Sequence, residues 1–183
     1  MSRGYKFHNP EGLYFISFAT IGWVDVFTRN IYKDIVVESL QYCQKEKGLN
    51  LYAWVIMTNH IHLIAEARDG YLMQHIMRDL KKHTSKKLIK AIANNHQESR
   101  KEWMLAIFKS AGEYNSNNKD YQFWRQDNRP IEIWSSDVVE QKLSYLSANP
   151  VEAGFVDKEE DWMYSSARDY YGTGKGLIDV ILL

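Results

Sequence analysis

Leu51-Tyr52-Ala53-Trp54-Val55-Ile56-Met57-Thr58-Asn59-His60-Ile61-His62-Leu63-Ile64-Ala65-Glu66-Ala67 is the stretch from which the fold can be read. Leu51 to Met57 and His60 to Ala67 are rich in branched and aromatic side chains that suit a pleated surface, and only Thr58-Asn59 separates them. Two apolar runs around so brief a polar link predict an antiparallel hairpin. Side chains alternate faces along a strand, so His60 and His62 project together while Ile61 and Leu63 point the other way. Two imidazoles one residue apart on one face can share a divalent cation if a third ligand approaches, and such nitrogens suit Mn, Zn, Co or Ni better than Mg. The same spacing fits two half-buried histidines hydrogen-bonded to neighbours. Spacing alone does not separate the two readings.

Working outward, Gly12 to Thr20 reads as a further strand, with Leu13, Tyr14, Phe15, Ile16 and Phe18 as strong strand formers. Asn30 then looks like an N-cap for a helix marked by Ile31, Ile35, Leu40 and Cys43 or Gln44, which Gly48 stops. After the hairpin, Leu72 to about Ile92 is a long amphipathic helix with Leu72, Ile76, Leu80 and Leu88 on one side. Asn94 to Asn118 is less regular, with a short apolar helical turn expected at Trp103 to Phe108 and a polar turn at Asn115–Asn118. Tyr121 to Arg125 and Ile131 to Trp134 are expected as strands. Ser135 or Ser136 should cap a helix running from Asp137 to about Ala148, where Pro150 limits it. The apolar ending Leu177–Leu183 is suited to docking. The expected fold is a single α+β domain with helices on an antiparallel sheet, its core at about residues 10–155 and a tail over 156–183 packed on it.

A chain of 183 residues can build its own core without staples, and its 45% hydrophobic and 25% charged residues exclude a disordered or fibrous protein. No apolar run approaches the ~20 residues of a membrane helix, and no apolar segment of a secretory signal follows Met1. The single cysteine, Cys43, excludes a disulfide framework and a Cys-rich zinc site. It reads as a packing residue in a reduced, cytoplasmic setting. The zero net charge conceals a strong asymmetry. From Tyr71 to Lys90 the bases Arg78, Lys81, Lys82, Lys86, Lys87 and Lys90 face Asp79 alone, a balance of +5. From Asp137 to Asp161 seven acids face Lys142 and Lys158, a balance of −5. Arg78, Lys82, Lys86 and Lys90 repeat every four residues and so form one helical ridge, which can track a phosphate backbone or simply be a solvated face.

Tyr52-Ala53-Trp54-Val55-Ile56-Met57-Thr58-Asn59-His60-Ile61-His62-Leu63-Ile64 resembles the strand–turn–strand signature of the HUH single-tyrosine transposases. In particular it resembles the REP-associated, IS200-like branch, whose motif runs roughly Trp-Val-hydrophobic-Met-Pro/Thr-Asn/Glu-His-hydrophobic-His. The resemblance extends to the basic helix after the motif, to Asn149-Pro150-Val151 and to Trp162-Met163-Tyr164-Ser165-Ser166, the last read as a structural anchor. It implies a ferredoxin-like sheet fold and cleavage of DNA by a tyrosine four residues before the Asn of Asn-Pro-Val. Leu143-Ser144-Tyr145-Leu146-Ser147-Ala148-Asn149 then makes Tyr145 the nucleophile and Asn149 the third metal ligand beside His60 and His62, with Mg2+ or Mn2+ as cofactor. Helical spacing agrees, since residues i and i+4 share a face.

By the same resemblance the partner is single-stranded or hairpin DNA, contacted by Arg78, Lys81, Lys82, Lys86, Lys87 and Lys90 and by Arg125 and Arg129, at the nucleoid and by a monomer or homodimer. Relatives carry an aromatic–Asp/Glu–His–x–Ile–Arg pattern where this chain has Gln126-Asp127-Asn128-Arg129-Pro130-Ile131-Glu132, so a proton-transfer histidine is missing there. Trp124 fits a core position as well as a base-stacking one. The alternatives are a domesticated, non-catalytic binder of repeat hairpins, and a structural metal module or RNA-binding protein.

Overall fold

The computed structural model describes residues 7–114, 120–126 and 128–183. The expected turn at Asn115–Asn118, and Asp127, lie outside them. Strand β1 (Leu13–Ala19) is followed by helix α1 (Asn30–Glu46), the hairpin β2 (Leu49–Ile56) and β3 (His60–Ala67), then helices α2 (Met73–Asn94) and α3 (Lys101–Glu113). Strand β4 (Ile131–Ile133), α4 (Ser136–Glu152) and the short α5 (Ala167–Tyr171) complete the chain. The strands form one antiparallel sheet in the order β2-β3-β1-β4, as the α+β reading expects.

Each sheet face has its own apolar layer. Ile16, Phe18, Trp54, Ile56, Ile61 and Leu63 pack against α1, α2 and α3. On the other face Phe15, Ala53, Val55, Met57 and Ile64 meet Leu146 of α4. A bulge between Leu51 and Ala53 shifts the pairing of β2 with β3. The alternation of faces along β2 is therefore broken there: Leu49 and Leu51 face α1 and α2, while Tyr52 and Ala53 both turn toward α4.

Gly48 ends α1 with φ +72°, and a Cβ there would meet the ring of Tyr71, so only glycine suits this stop. The outer edge of β2 is covered by the tail. Ile56 N donates to Tyr164 O and Ser166 N to Trp54 O, while Ile181 N donates to Leu51 O. An edge paired in this way offers no template to another chain.

Three expectations are corrected. The expected short turn at Trp103 to Phe108 is a full helix of 13 residues, recessed in the sequence because only Met104, Phe108 and Gly112 are buried. Tyr121 to Arg125 is not a strand: it contributes one bridge, Thr20 to Trp124, and the buried Trp124 donates through Nε1 to Thr84 Oγ1 in the core. Pro150 lies inside α4 rather than ending it. The helix continues because proline already has helical φ and, in the last turn, forfeits one N–H bond. Ser135 is the N-cap, accepting from Val138 N.

Between α2 and α3 the Glu98 carboxylate, fully buried, pairs with Arg29 (2.9 Å) and Arg100 (3.0 Å). Arg100 also donates to Asp25 O and Thr28 Oγ1. Burial raises the acid's pKa, but the bonds from Arg100 and Arg29 outweigh it and hold the carboxyl below its usual range. A depressed acid contributes stability that is complete above its unfolded value of about 4.3 and lost as pH falls through the folded one. Glu98→Gln is expected to lower stability by about 1–3 kcal/mol at pH 7. It should also flatten the loss of stability below pH ~4.3. Urea midpoints measured from pH 7 to pH 3 check both, and parallel curves for the two proteins would refute the assignment.

Candidate active site

β1 and β3 supply the fixed half of the site. Ser17 lies opposite His62 and Ala19 opposite His60 in the register. Ser17 Oγ and His62 Nδ1 are 2.6 Å apart. His60 Nδ1 lies 2.7 Å from Asn59 Oδ1. Asn59 Nδ2 donates to Asp25 Oδ1 (3.0 Å), which fixes the amide so that its oxygen faces the imidazole. An amide oxygen only accepts, so His60 Nδ1 carries the proton and Nε2 keeps its lone pair. The imidazole centroids of His60 and His62 are 4.8 Å apart.

α4 supplies the other half. Tyr145 stands edge-on to His62 with ring centroids 5.4 Å apart, and to Phe15 at 5.9 Å. Phe15 itself stacks on His62. One helical turn later Asn149 donates through Nδ2 to Tyr145 O. Burial lowers the pKa of His60 overall, against the opposing influence of the nearby Asn149 side chain and of Asp25, which favour the charged imidazole. Burial first, then His60 and Lys142, push His62 down to about 3. His62 is therefore neutral at pH 7, and its buried Nε2 has no hydrogen-bond partner.

An orphaned, neutral imidazole nitrogen beside a second one is the donor set a divalent cation needs. Among the described residues no group of three or more His, Cys, Asp or Glu side chains gathers. Asn149, the third ligand that the family resemblance implies, stands one turn beyond Tyr145 on α4. The four residues expected to act together, His60, His62, Tyr145 and Asn149, are thus brought to one sheet face by one chain.

The basic residues are distributed differently. α2 packs on the opposite face, so the ridge of Arg78, Lys82, Lys86 and Lys90 is exposed there, away from the histidines. Arg78 pairs with Asp79 and Lys87 with Glu38. The Lys81 ammonium turns inward and donates to Arg125 O (2.6 Å) and Asn128 Oδ1 (2.8 Å), tying both residues to α2. The Arg125 guanidinium lies over the ring of Trp23, which touches His60. Arg129 is exposed. Cys43 is buried in α1, and Trp162 anchors the tail by donating to Ile56 O.

The family model of IS200-like transposases matches residues 14–117, more than half of the chain. The chain belongs to the IS200-like transposase family. The match includes the histidine strand and ends before Tyr145 and Asn149. Among solved structures, a REP-associated tyrosine transposase bound to a REP hairpin is similar over 100% of this chain and 95% of its own, with a TM-score of 0.66 and 16% identity. That likeness shows a shared fold. A candidate transposase from Deinococcus radiodurans R1 is 18% identical over 79% of this chain and 93% of its own, with a TM-score of 0.41. No curated protein sequence matches.

Ser17 and Asn59, which orient the two imidazoles, had no assigned role in the sequence. Ser17 was discernible as a small polar residue amid the apolar run of β1. Asn59 was visible as the Asn/Glu position of the motif, with no role attached to it.

The lowered pKa of His62 has a consequence for stability. Between about pH 6.5 and pH 3 the unfolded histidine binds a proton that the folded one does not, so stability falls as pH falls through this window. Nothing is lost above pH 6.5. In chelator-treated protein the slope should reach up to about 1.4 kcal/mol per pH unit and be shallower in His62→Gln. Histidine side-chain NMR at pH 5 should find His62 neutral. A His62 resonance titrating near 6.5 would contradict this environment.

Proposed function

We propose that this transposase-family chain is a metal-dependent nuclease and strand transferase acting on single-stranded DNA at hairpin or repeat ends, with Tyr145 as nucleophile. The convergence of Tyr145 and Asn149 on the His60–His62 pair is the observation that carries this reading. The phenol oxygen of Tyr145 attacks a backbone phosphorus, the bond to the 3′ oxygen breaks, and a 5′-phosphotyrosine forms. The phenolic proton leaves to solvent and the departing 3′ oxygen takes one up. Reversal by a free 3′ hydroxyl rejoins strands with no nucleotide cofactor.

A Mg2+ or Mn2+ ion held by His60, His62 and Asn149 would supply Lewis-acid and templating chemistry at the phosphate. The protein's own contribution is orientation. Ser17 and Asn59 fix the rings, Phe15 walls one side of His62, and the Asn149 bond to the Tyr145 carbonyl sets nucleophile and ligand one turn apart on α4. Lys142, one turn before Tyr145, keeps its ammonium 5.3 Å from the Phe15 ring centroid, a position that favours phosphate and phenolate alike.

The structural neighbour's hairpin ligand supports hairpin DNA as the substrate class. Arg78, Lys82, Lys86, Lys87 and Lys90 would hold a duplex stem by its phosphates, and Arg125 and Arg129 the path toward the histidines. Such work belongs at the nucleoid, and no described helix is long and apolar enough to cross a membrane. Because Tyr145 stands beside its own chain's histidines, a monomer would suffice for cleavage.

Labelled single-stranded oligonucleotides tiling the DNA on both sides of the gene, incubated with Mn2+ or Mg2+, should give a covalent protein–DNA band on a denaturing gel. Tyr145→Phe should abolish it, and His60→Ala with His62→Ala should reduce it at least 100-fold, given what loss of a metal site does to phosphoryl transfer. An adduct persisting in Tyr145→Phe would exclude this tyrosine. Hairpin binding with no adduct under any metal would favour a domesticated binder.

A further inference from the structure

Trp23 is a large aromatic residue left half exposed, at 49%, beside the histidine pair. Its backbone lies in the left-handed region, φ +56°, directly after Gly22 at φ +64°. Left-handed backbone is unfavourable for a bulky residue and persists where surroundings impose it. The surroundings are visible here: Trp23 N donates to Thr20 O, and Asn59, the residue that orients His60, donates to Trp23 O. The strained turn brings the indole edge-on to His60, with centroids 6.0 Å apart, and Arg125 lies 5.5 Å from the indole centroid. A core role does not account for an indole this exposed.

Resting on the proposed tyrosine chemistry, we infer that Trp23 is a stacking platform for the nucleobase immediately 5′ of the cleaved phosphate. The order of groups across the site gives the side. Tyr145 and Phe15 flank His62, whereas Trp23 flanks His60, so nucleophile and indole stand at opposite ends of the histidine pair. In-line displacement puts the attacking and leaving oxygens on opposite sides of phosphorus. With Tyr145 attacking from one end, the 3′ oxygen departs toward Trp23, and the base attached to that sugar meets the indole. Stacking suits any base, because each has a π face, and the Arg125 guanidinium adds cation–π and phosphate attraction. The platform keeps the 3′-hydroxyl strand at the site for rejoining, and Trp23 thereby acts as a positioning residue.

The test uses the full chain in a Tyr145→Phe background, which prevents turnover, and fluorescein-labelled single-stranded oligonucleotides from the same tiling set. Trp23→Ala should weaken binding of the tightest oligonucleotide roughly 5- to 150-fold, the range for loss of one stacked base. Trp23→Phe should recover most of it. Trp23→Gly, which suits a left-handed backbone, should lose binding yet unfold at no lower urea concentration than the parent, an outcome a structural role would not give. One abasic position should reproduce the loss without adding to that of Trp23→Ala. In the protein with Tyr145 intact, that position should map to the 5′ side of the cleaved bond. Unchanged binding in Trp23→Ala, abasic losses that all add to it, or a coupled base on the 3′ side would overturn the inference. Absence of an adduct with intact Tyr145 would count against the tyrosine chemistry, and a Trp23 dependence of binding would still be read separately.

Discussion

The 2.6 Å hydrogen bond between Ser17 and His62 joins two central strands at the point where the sheet carries its chemistry. It requires the β1–β3 register, because a slip of one residue would turn Ser17 away and send His62 into the apolar layer under α1 and α2. The register is in turn held by burial on both faces: Ile61 and Leu63 on one side, Ile64 and Phe15 on the other. A buried imidazole with one nitrogen satisfied and the other bare is costly to keep. The fold tolerates it because two packed layers define the strand. The bare nitrogen is what a pure packing residue would not need.

Much of this was legible in the sequence because a strand's alternation is simple. The boundaries of β3 follow from His60-Ile61-His62 and the short Thr58-Asn59 link, and its two faces follow from period two. Tyr145 and Asn149 share a face because they are four residues apart on a helix, whichever way α4 is docked. The bulge at Tyr52 was not legible: neither Tyr52 nor Ala53 is out of place on either face, so the extra residue leaves no mark in the pattern. Helix α3 was obscured by burying so few of its residues. Pro150 misled because a helix-ending signal acts differently within a last turn. Trp23 could not be anticipated, since Gly22 signals a turn there but not that the bulky residue after it is left-handed too.

The zero net charge is distributed across the sheet with a consequence for any polyanion. The basic ridge of α2 lies over one face, while Asp137, Glu140 and Glu152 of α4, with the acids near residue 160, lie toward the other. At physiological salt each field reaches only about 8 Å, so the two do not cancel at either surface. A phosphate backbone is therefore attracted to the α2 face and repelled from much of the α4 face. At the histidines the local cations are Lys142 and Arg125. A duplex, with its dense charge, is best matched to α2. Under the proposed function, a single strand, with fewer phosphates per unit length and bases free to stack, suits the Arg125–Trp23 pair beside His60. The basic ridge is thus separated from the histidine site by the thickness of the sheet, while Lys81 of the same helix turns inward to hold Arg125 and Asn128.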